Sequence, residues 1–441
     1  MSRALLLVTI GNVASAAAQW YLIWLFAQQD GAHAVGQYST LVAVLTPIFV
    51  STQLGLRNLF ITLQTNVRWG VYVSVRSATT LIALVITVFF LWMAREVVNL
   101  QFAGALLLTK VPDSIADLYS GRLLRAERLS LLGTISIVSA VVSSLIATVL
   151  VLSFDSATIA LWGSASVALT SACVLIWHGG RAPHARPNRE SGWGGTPSQF
   201  RLRQMKAEVS TLVRAGIPMS LMQGIYSLIS YIPLAVVGYF GSTEDVGRYA
   251  SAAYLVVFAN LVGASVQTVQ LPSYRRLYDG SGQSAVVRRA IRHGCMVMIG
   301  LTPLVALALA IGPWLLQTVY GPELLLSRSA VGFLSVAAVL TVPPYSMSTT
   351  LLVLNRYWAT TAVGASSIVL VLGIGWIAGT AGAEPVEAGT LALLASSVGR
   401  LAGEFFFARV PQAPQISEIH VAQLAPIERT PPSIAPSAQT E

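Results

Sequence analysis

Lys110, Asp113 and Asp117 are spaced three and four residues apart around Pro112, in a run that is otherwise apolar. On a helix that spacing puts all three on one face. If the helix crosses a bilayer, charges within it are costly unless they are paired or wetted. Two arrangements satisfy them: a polar stripe facing a water-filled cavity, or an internal salt bridge holding the helix against its neighbours. Arg400 and Glu404 form a second pair, at i, i+4. They either neutralise each other near a helix end or face a lumen. Arg57, Arg76 and Arg214 stand near the ends of apolar runs. There they snorkel to phospholipid heads; turned inward, their guanidinium groups would suit a pyrophosphate, which they bind bidentately. Asn12, Gln19, Trp20 and Tyr21, and later Gln223, Tyr226, Ser227 and Tyr231, are polar or aromatic positions within apolar runs. Such residues bond helix to helix, form an interfacial belt, or contact a sugar.

Other chemistries are excluded. The only lysines are Lys110 and Lys206, and neither completes a Walker A sequence. No Gly-x-Ser-x-Gly elbow is present. Cys173 and Cys295 form no Cys-x-x-Cys pair, the five histidines are dispersed, and no metal-ligand spacing appears. The sequence thus predicts no catalytic residues, metal or cofactor, and any driving energy must come from an ion gradient, the membrane potential or a downstream step. Pro218, Pro233, Pro272, Pro303 and Pro313 can kink or break helices, and the adjacent Pro343 and Pro344 are the hinge candidates.

The elements that position these residues are membrane helices. Of 441 residues, 54% are hydrophobic and 10% charged, against about 25% charged in soluble domains. The apolar residues lie in runs near the ~20 residues that cross a bilayer as a helix. Twelve spans are predicted, near Ala4–Ala27, Tyr38–Phe60, Val71–Trp92, Leu100–Tyr119, Leu131–Ser153, Thr158–Trp177, Thr211–Tyr239, Arg248–Leu271, Gly294–Val319, Ser327–Leu354, Ala359–Gly379 and Ala388–Phe407. The first apolar run continues through Trp20–Phe26, too long for a signal peptide. Arginines collect in alternate loops; the other side has only Arg95, Arg248 and Arg328, each near acidic residues. The positive-inside rule then places both termini in the cytoplasm. It also accounts for the net charge of +9 without invoking nucleic acid. The expected organisation is all-α: a six-helix lobe over 1–177, a basic cytoplasmic linker over 178–208, a second six-helix lobe over 209–408, and a disordered tail over 409–441. The linker's basic side chains could also lie against anionic lipid. Outward loops such as Phe154–Ala157 are too short to hold an external domain.

The halves share landmarks. Val35-Gly36-Gln37-Tyr38 opens the second span and Val246-Gly247-Arg248-Tyr249 the eighth. Leu123-Leu124-Arg125-Ala126-Glu127-Arg128 follows the fourth span, and Leu351-Leu352-Val353-Leu354-Asn355-Arg356 closes the tenth. Six spans per half make this a parallel repeat about the membrane normal. With Gly216-Ile217-Pro218 opening the second half and Tyr320-Gly321-Pro322-Glu323 between spans nine and ten, residues 1–408 resemble the Wzx-type polysaccharide-biosynthesis flippases of the multidrug/oligosaccharidyl-lipid/polysaccharide superfamily. That resemblance implies a V-shaped, MATE-like two-lobed bundle in the bacterial inner membrane. It implies a central cationic cavity that moves an undecaprenyl-pyrophosphate-linked oligosaccharide to the periplasmic leaflet, the lipid tail riding outside. It also implies work alongside a polysaccharide polymerase and chain-length machinery. Arg57, Lys110, Arg214 and Arg400 are the cavity cations it selects. A drug or cation antiporter of the same superfamily is the alternative, through Asp113 and Asp117. An O-antigen polymerase or ligase would need a sizeable outer loop, which the short loops do not provide.

Overall fold

A computed structural model of the chain describes residues 3–62, 67–96, 98–182, 198–354 and 356–410. Among them no strand occurs, and apart from short turns all are helical. In chain order the helices are α1 (Arg3–Thr52), α2 (Leu56–Thr62), α3 (Trp69–Met93), α4 (Leu100–Arg125), α5 (Leu129–Phe154), α6 (Ala157–Gly180), α7 (Ser198–Phe240), α8 (Thr243–Tyr320), α9 (Arg328–Thr341), α10 (Pro343–Val353), α11 (Tyr357–Thr380) and α12 (Pro385–Arg409). The chain divides after Ala408, and all geometry below belongs to the unit ending there. The tail over 411–441 lies outside the described residues, as does 183–197 of the basic linker.

Helix length and composition make this a multi-pass membrane protein. Ten stretches among the described residues are long and apolar enough to cross a bilayer. One of them, Leu6–Ile61, is long enough to cross twice, and α4 is kept out of the ten by its charges. With α1 divided at Gly31 and α4 counted, the twelve expected spans are accounted for.

Four boundaries differ from the sequence expectation. The outward loop expected over Gln28–Gln37 is helical except at Gly31, whose φ of 67° breaks α1. The arginine-rich connection after the eighth span is likewise helical, broken at Gly282 with φ 76°. One residue in the left-handed region is enough to end a helix, and glycine adopts it without steric cost. The tenth span is two helices, α9 and α10, with Pro343 and Pro344 at the first positions of α10. There a missing N–H leaves no helical bond unmade within α10. Helix α7 begins inside the basic segment, at Ser198.

Polar caps fix several ends. Asn99 accepts from the Gln101 and Phe102 amides at the start of α4, and Ser242 and Asp245 form a reciprocal capping box at the start of α8. Helix α1 packs against α5, and α4 against α6. In the second half α8 packs on α9 and α10, and α7 on α11. Helix α1 meets both α7 and α8, so the first helix element of one half carries much of the seam with the other.

Candidate functional site

The repeated Val-Gly-x-Tyr landmarks meet each other at that seam. A Cβ at Gly36 would overlap the Thr243 carbonyl oxygen, and one at Gly247 would overlap the Ala32 carbonyl oxygen. On the same arginine-poor side, Trp24 Nε1 and Gln28 Nε2 donate to the Val319 carbonyl at 2.7 and 3.0 Å. His33 Nδ1 lies 3.0 Å from Glu244 Oε1. At the arginine-rich end the Ser220 hydroxyl donates to the Ser51 carbonyl, a Cβ at Gly216 would press on the Leu54 carbonyl, and Arg68 Nε lies 3.1 Å from Glu208 Oε2. The halves therefore touch at both ends of the seam.

Within the first half, the polar stripe of α4 divides in two. Asp117 is captured by two arginines from neighbouring helices: Arg57 Nη1 of α2 at 3.2 Å and Arg76 Nη2 of α3 at 2.5 Å. Arg76 also donates through Nη1 to the Gln53 carbonyl at 3.1 Å. Its side chain is 1% exposed, and its Nε has no partner. Arg76 thus turns inward, because α4 offers it a carboxylate that lipid headgroups would otherwise have to replace; the snorkelling alternative does not apply to it. Thr80 and Ser114 continue the α3–α4 contact at 2.9 Å. Lys110 and Asp113 are left outside this clamp. Asp113 is exposed, Lys110 half-buried, and neither makes an ion pair or hydrogen bond among the described residues. They sit one turn apart on α4, within electrostatic reach of each other.

Within the second half, Arg400 Nε donates to Glu404 Oε1 at 3.0 Å along α12. The pair is not at a wet helix end. Glu404 is fully buried, and Tyr226 of α7 donates its hydroxyl to the same Oε1 at 3.2 Å. The Arg400 guanidinium lies 4.8 Å from the ring centres of both Tyr226 and Tyr345, the latter from α10. A desolvated cation over a ring face gains up to ~2 kcal/mol or more. Tyr345 in turn donates to Asn260 Oδ1 of α8 at 2.9 Å. Glu404 Oε2 is buried without a partner. Arg214 lies on α7, exposed and without an ion pair among the described residues.

The seven charged candidates thus fall into three groups. Arg57 joins Asp117, and Arg400 joins Glu404. Lys110, Asp113 and Arg214 make no direct ion pair among the described residues. Sequence reasoning left Arg76 between lipid headgroups and an inward turn, and its place inside the span expected over Val71–Trp92 was the signal for a buried partner. The tyrosine sandwich had no comparable signal, since its members come from three helices far apart in the chain.

No family model matches the sequence, and no curated protein matches it. The fold, however, matches solved structures. An inward-facing multidrug-resistance MATE family transporter of the MOP superfamily is 13% identical, with 96% of each chain covered and a TM-score of 0.60. The Vibrio cholerae MATE transporter VcmN, in a mutant form, is 13% identical over 92% of this chain and 94% of its own, with a TM-score of 0.60. A MOP superfamily transporter from Pyrococcus furiosus, described as having a binding pocket of reversed polarity that suggests a different function, is 12% identical over 92% and 94%, again at 0.60. With its helices, its two halves and their seam, the chain has the fold of the MATE-type transporters of that superfamily.

Proposed function

We propose that this protein is a transporter of the bacterial inner membrane that moves an undecaprenyl-pyrophosphate-linked oligosaccharide from the cytoplasmic to the periplasmic leaflet. The observation that carries this reading is Lys110, a cation ten residues into a spanning helix with no direct ion pair among the described residues. A charge at that depth is retained at a cost, and an anionic cargo is what would offset it. The cargo's polymerisation would fall to a separate membrane enzyme and chain-length machinery. The energy source under this reading is an ion gradient or removal of the product.

Asp113 favours a second reading, export of drugs or cations. It is an accessible carboxylate on the same helix face, and the MATE neighbours include a multidrug-resistance transporter. The Pyrococcus furiosus neighbour illustrates that pocket polarity varies on this fold.

The two readings separate on one pair of variants. In proteoliposomes holding a fluorescent polyprenyl-pyrophosphate oligosaccharide, Lys110→Gln is expected to slow translocation at least tenfold with the melting temperature unchanged. Asp113→Asn should leave translocation within threefold. Normal translocation by Lys110→Gln refutes the anionic-cargo role. Loss of ethidium efflux in Asp113→Asn, with no glycolipid movement by the unmodified protein, establishes the second reading instead.

A further inference from the structure

Between α5 and α6 lies a groove of about 520 Å³. Its walls are Ile135, Val138, Val142 and Ile146 from α5 and Val167 and Val174 from α6. Val138 and Val142 are 53% and 37% exposed; in a spanning helix, apolar side chains left open in this way face hydrocarbon. The hydroxyls in the walls add little polarity. Thr134, Ser166 and Thr170 each donate to the carbonyl four residues before them. Twelve residues from Thr134 to Ile146 make the groove about 18 Å long at 1.5 Å per residue. It starts near the arginine-rich end of both helices. At its far end Gly163 lets Leu150 and Ile146 close directly onto α6. It is therefore a blind slot rooted in the leaflet predicted to be cytoplasmic.

Both helices carry an arginine beyond the open end of the slot. Arg181, at the C-cap of α6, stacks its guanidinium 3.7 Å from the ring centre of Trp177. Trp177 and Arg181 follow Val174 by three and seven residues, so they continue its face of the helix. Arg128 sits exposed at the N-cap of α5. Neither arginine pairs with a carboxylate among the described residues. An apolar slot on two helices that each carry an arginine beyond its open end complements an amphiphile that has a hydrocarbon tail and a phosphate or pyrophosphate head.

We propose that the α5–α6 groove seats the polyprenyl tail of the cargo in the cytoplasmic leaflet, with Arg181 and Arg128 engaging its pyrophosphate. This rests on the glycolipid reading above for its occupant. It assigns the tail a specific track on the first half of the chain, beside α4, which packs on α6 through a face other than the one carrying Lys110.

The test is photolabelling of the full chain in phosphatidylcholine nanodiscs with a diazirine-bearing polyprenyl pyrophosphate that carries no glycan. Labelled peptides are expected to map to 134–174, and unlabelled polyprenyl pyrophosphate should compete at least tenfold better than phosphatidylglycerol. Val142→Trp, which fills the slot from a lipid-exposed position, should cut labelling at least fivefold; Val138→Trp serves the same end if that variant fails to fold. Arg181→Gln should weaken labelling by the pyrophosphate and not by diazirine polyprenol. Equal competition by phosphatidylglycerol makes this a site for bulk lipid and overturns the proposal. So does labelling that maps elsewhere, or labelling that survives both tryptophan fillers. Because the readout needs no glycan and no transport, the two proposals fail separately. Translocation with labels elsewhere defeats only the groove, and groove labelling without translocation defeats only the transport reading.

Discussion

Asp117→Asn is expected to destabilise the protein by about 3–5 kcal/mol, the usual consequence of removing one partner from a buried ion pair. The cost arises at Arg76 rather than at the substituted residue. Its guanidinium is 1% exposed and is held by Asp117 Oδ2 at 2.5 Å and by the Gln53 carbonyl at 3.1 Å. One of its nitrogens already lacks a partner. An asparagine keeps one acceptor and loses the charge, so a full positive charge would remain between α3 and α4 with only dipoles to balance it. Arg57 has an alternative, because it is 38% exposed and can turn to water. The expected observation is a fall in the detergent melting temperature with Asp117→Asn that is largely reversed in the Arg76→Met, Asp117→Asn double variant. Arg57→Gln should have a much smaller effect. An unchanged melting temperature in Asp117→Asn would mean that Arg76 is balanced by some other group, and the clamp would lose its structural role.

The second large effect is expected at Gly247. Any side chain there meets backbone, the Ala32 carbonyl, with no flexible atom to move aside. Gly247→Val must therefore push α8 away from α1, breaking the close approach shared with Gly36 and loosening the Trp24 and Gln28 bonds to Val319. Overpacking of this kind costs about 1–3 kcal/mol. Under the proposed transport role the functional loss should be larger, at least tenfold in translocation, since alternating access would work across this seam. Gly300→Ala supplies the control. It lies in the same α8, and a Cβ there meets nothing within 4 Å, so relief of glycine's poor helix propensity, about 1 kcal/mol, should leave it neutral or slightly stabilised. A Gly247→Val protein that transports and melts like the original would show that the seam does not need the close contact.

The helices were legible in the sequence because hydrocarbon allows few alternatives to a long apolar helix. The ends of helices were less so. Gly31 and Gly282 each break a helix alone, where the charge and polarity around them suggested whole loops; polarity reports where water is, not where the backbone bends. The spacing of Lys110, Asp113 and Asp117 correctly placed them on one helix face, yet the groups have different surroundings. Asp117 is claimed by α2 and α3, and Asp113 is not, a distinction set by which helices happen to cross α4 and at what height. Arg400 and Glu404 could be read as a pair from their separation alone. Their enclosure by Tyr226 and Tyr345 could not, since nothing local ties α7 and α10 to α12. The landmark glycines were visible as a repeat, but only the packed structure has Gly36 and Gly247 pressing on each other's helices.

The clamp on Asp117 also bears on how the protein is made. Lys110, Asp113 and Asp117 would each cost roughly 2.5–3.5 kcal/mol near the centre of a helix entering the bilayer from the translocon alone. Helix α3, synthesised just before it, is long and apolar but carries Arg76. Asp117 of α4 is thus the carboxylate that Arg76 of α3 needs. The pair is suited to leave the translocon together as a hairpin, with the Arg76–Asp117 bond formed on the way in, so integration of α4 is expected to fall in Arg76→Met, measured by glycosylation mapping of the nascent chain.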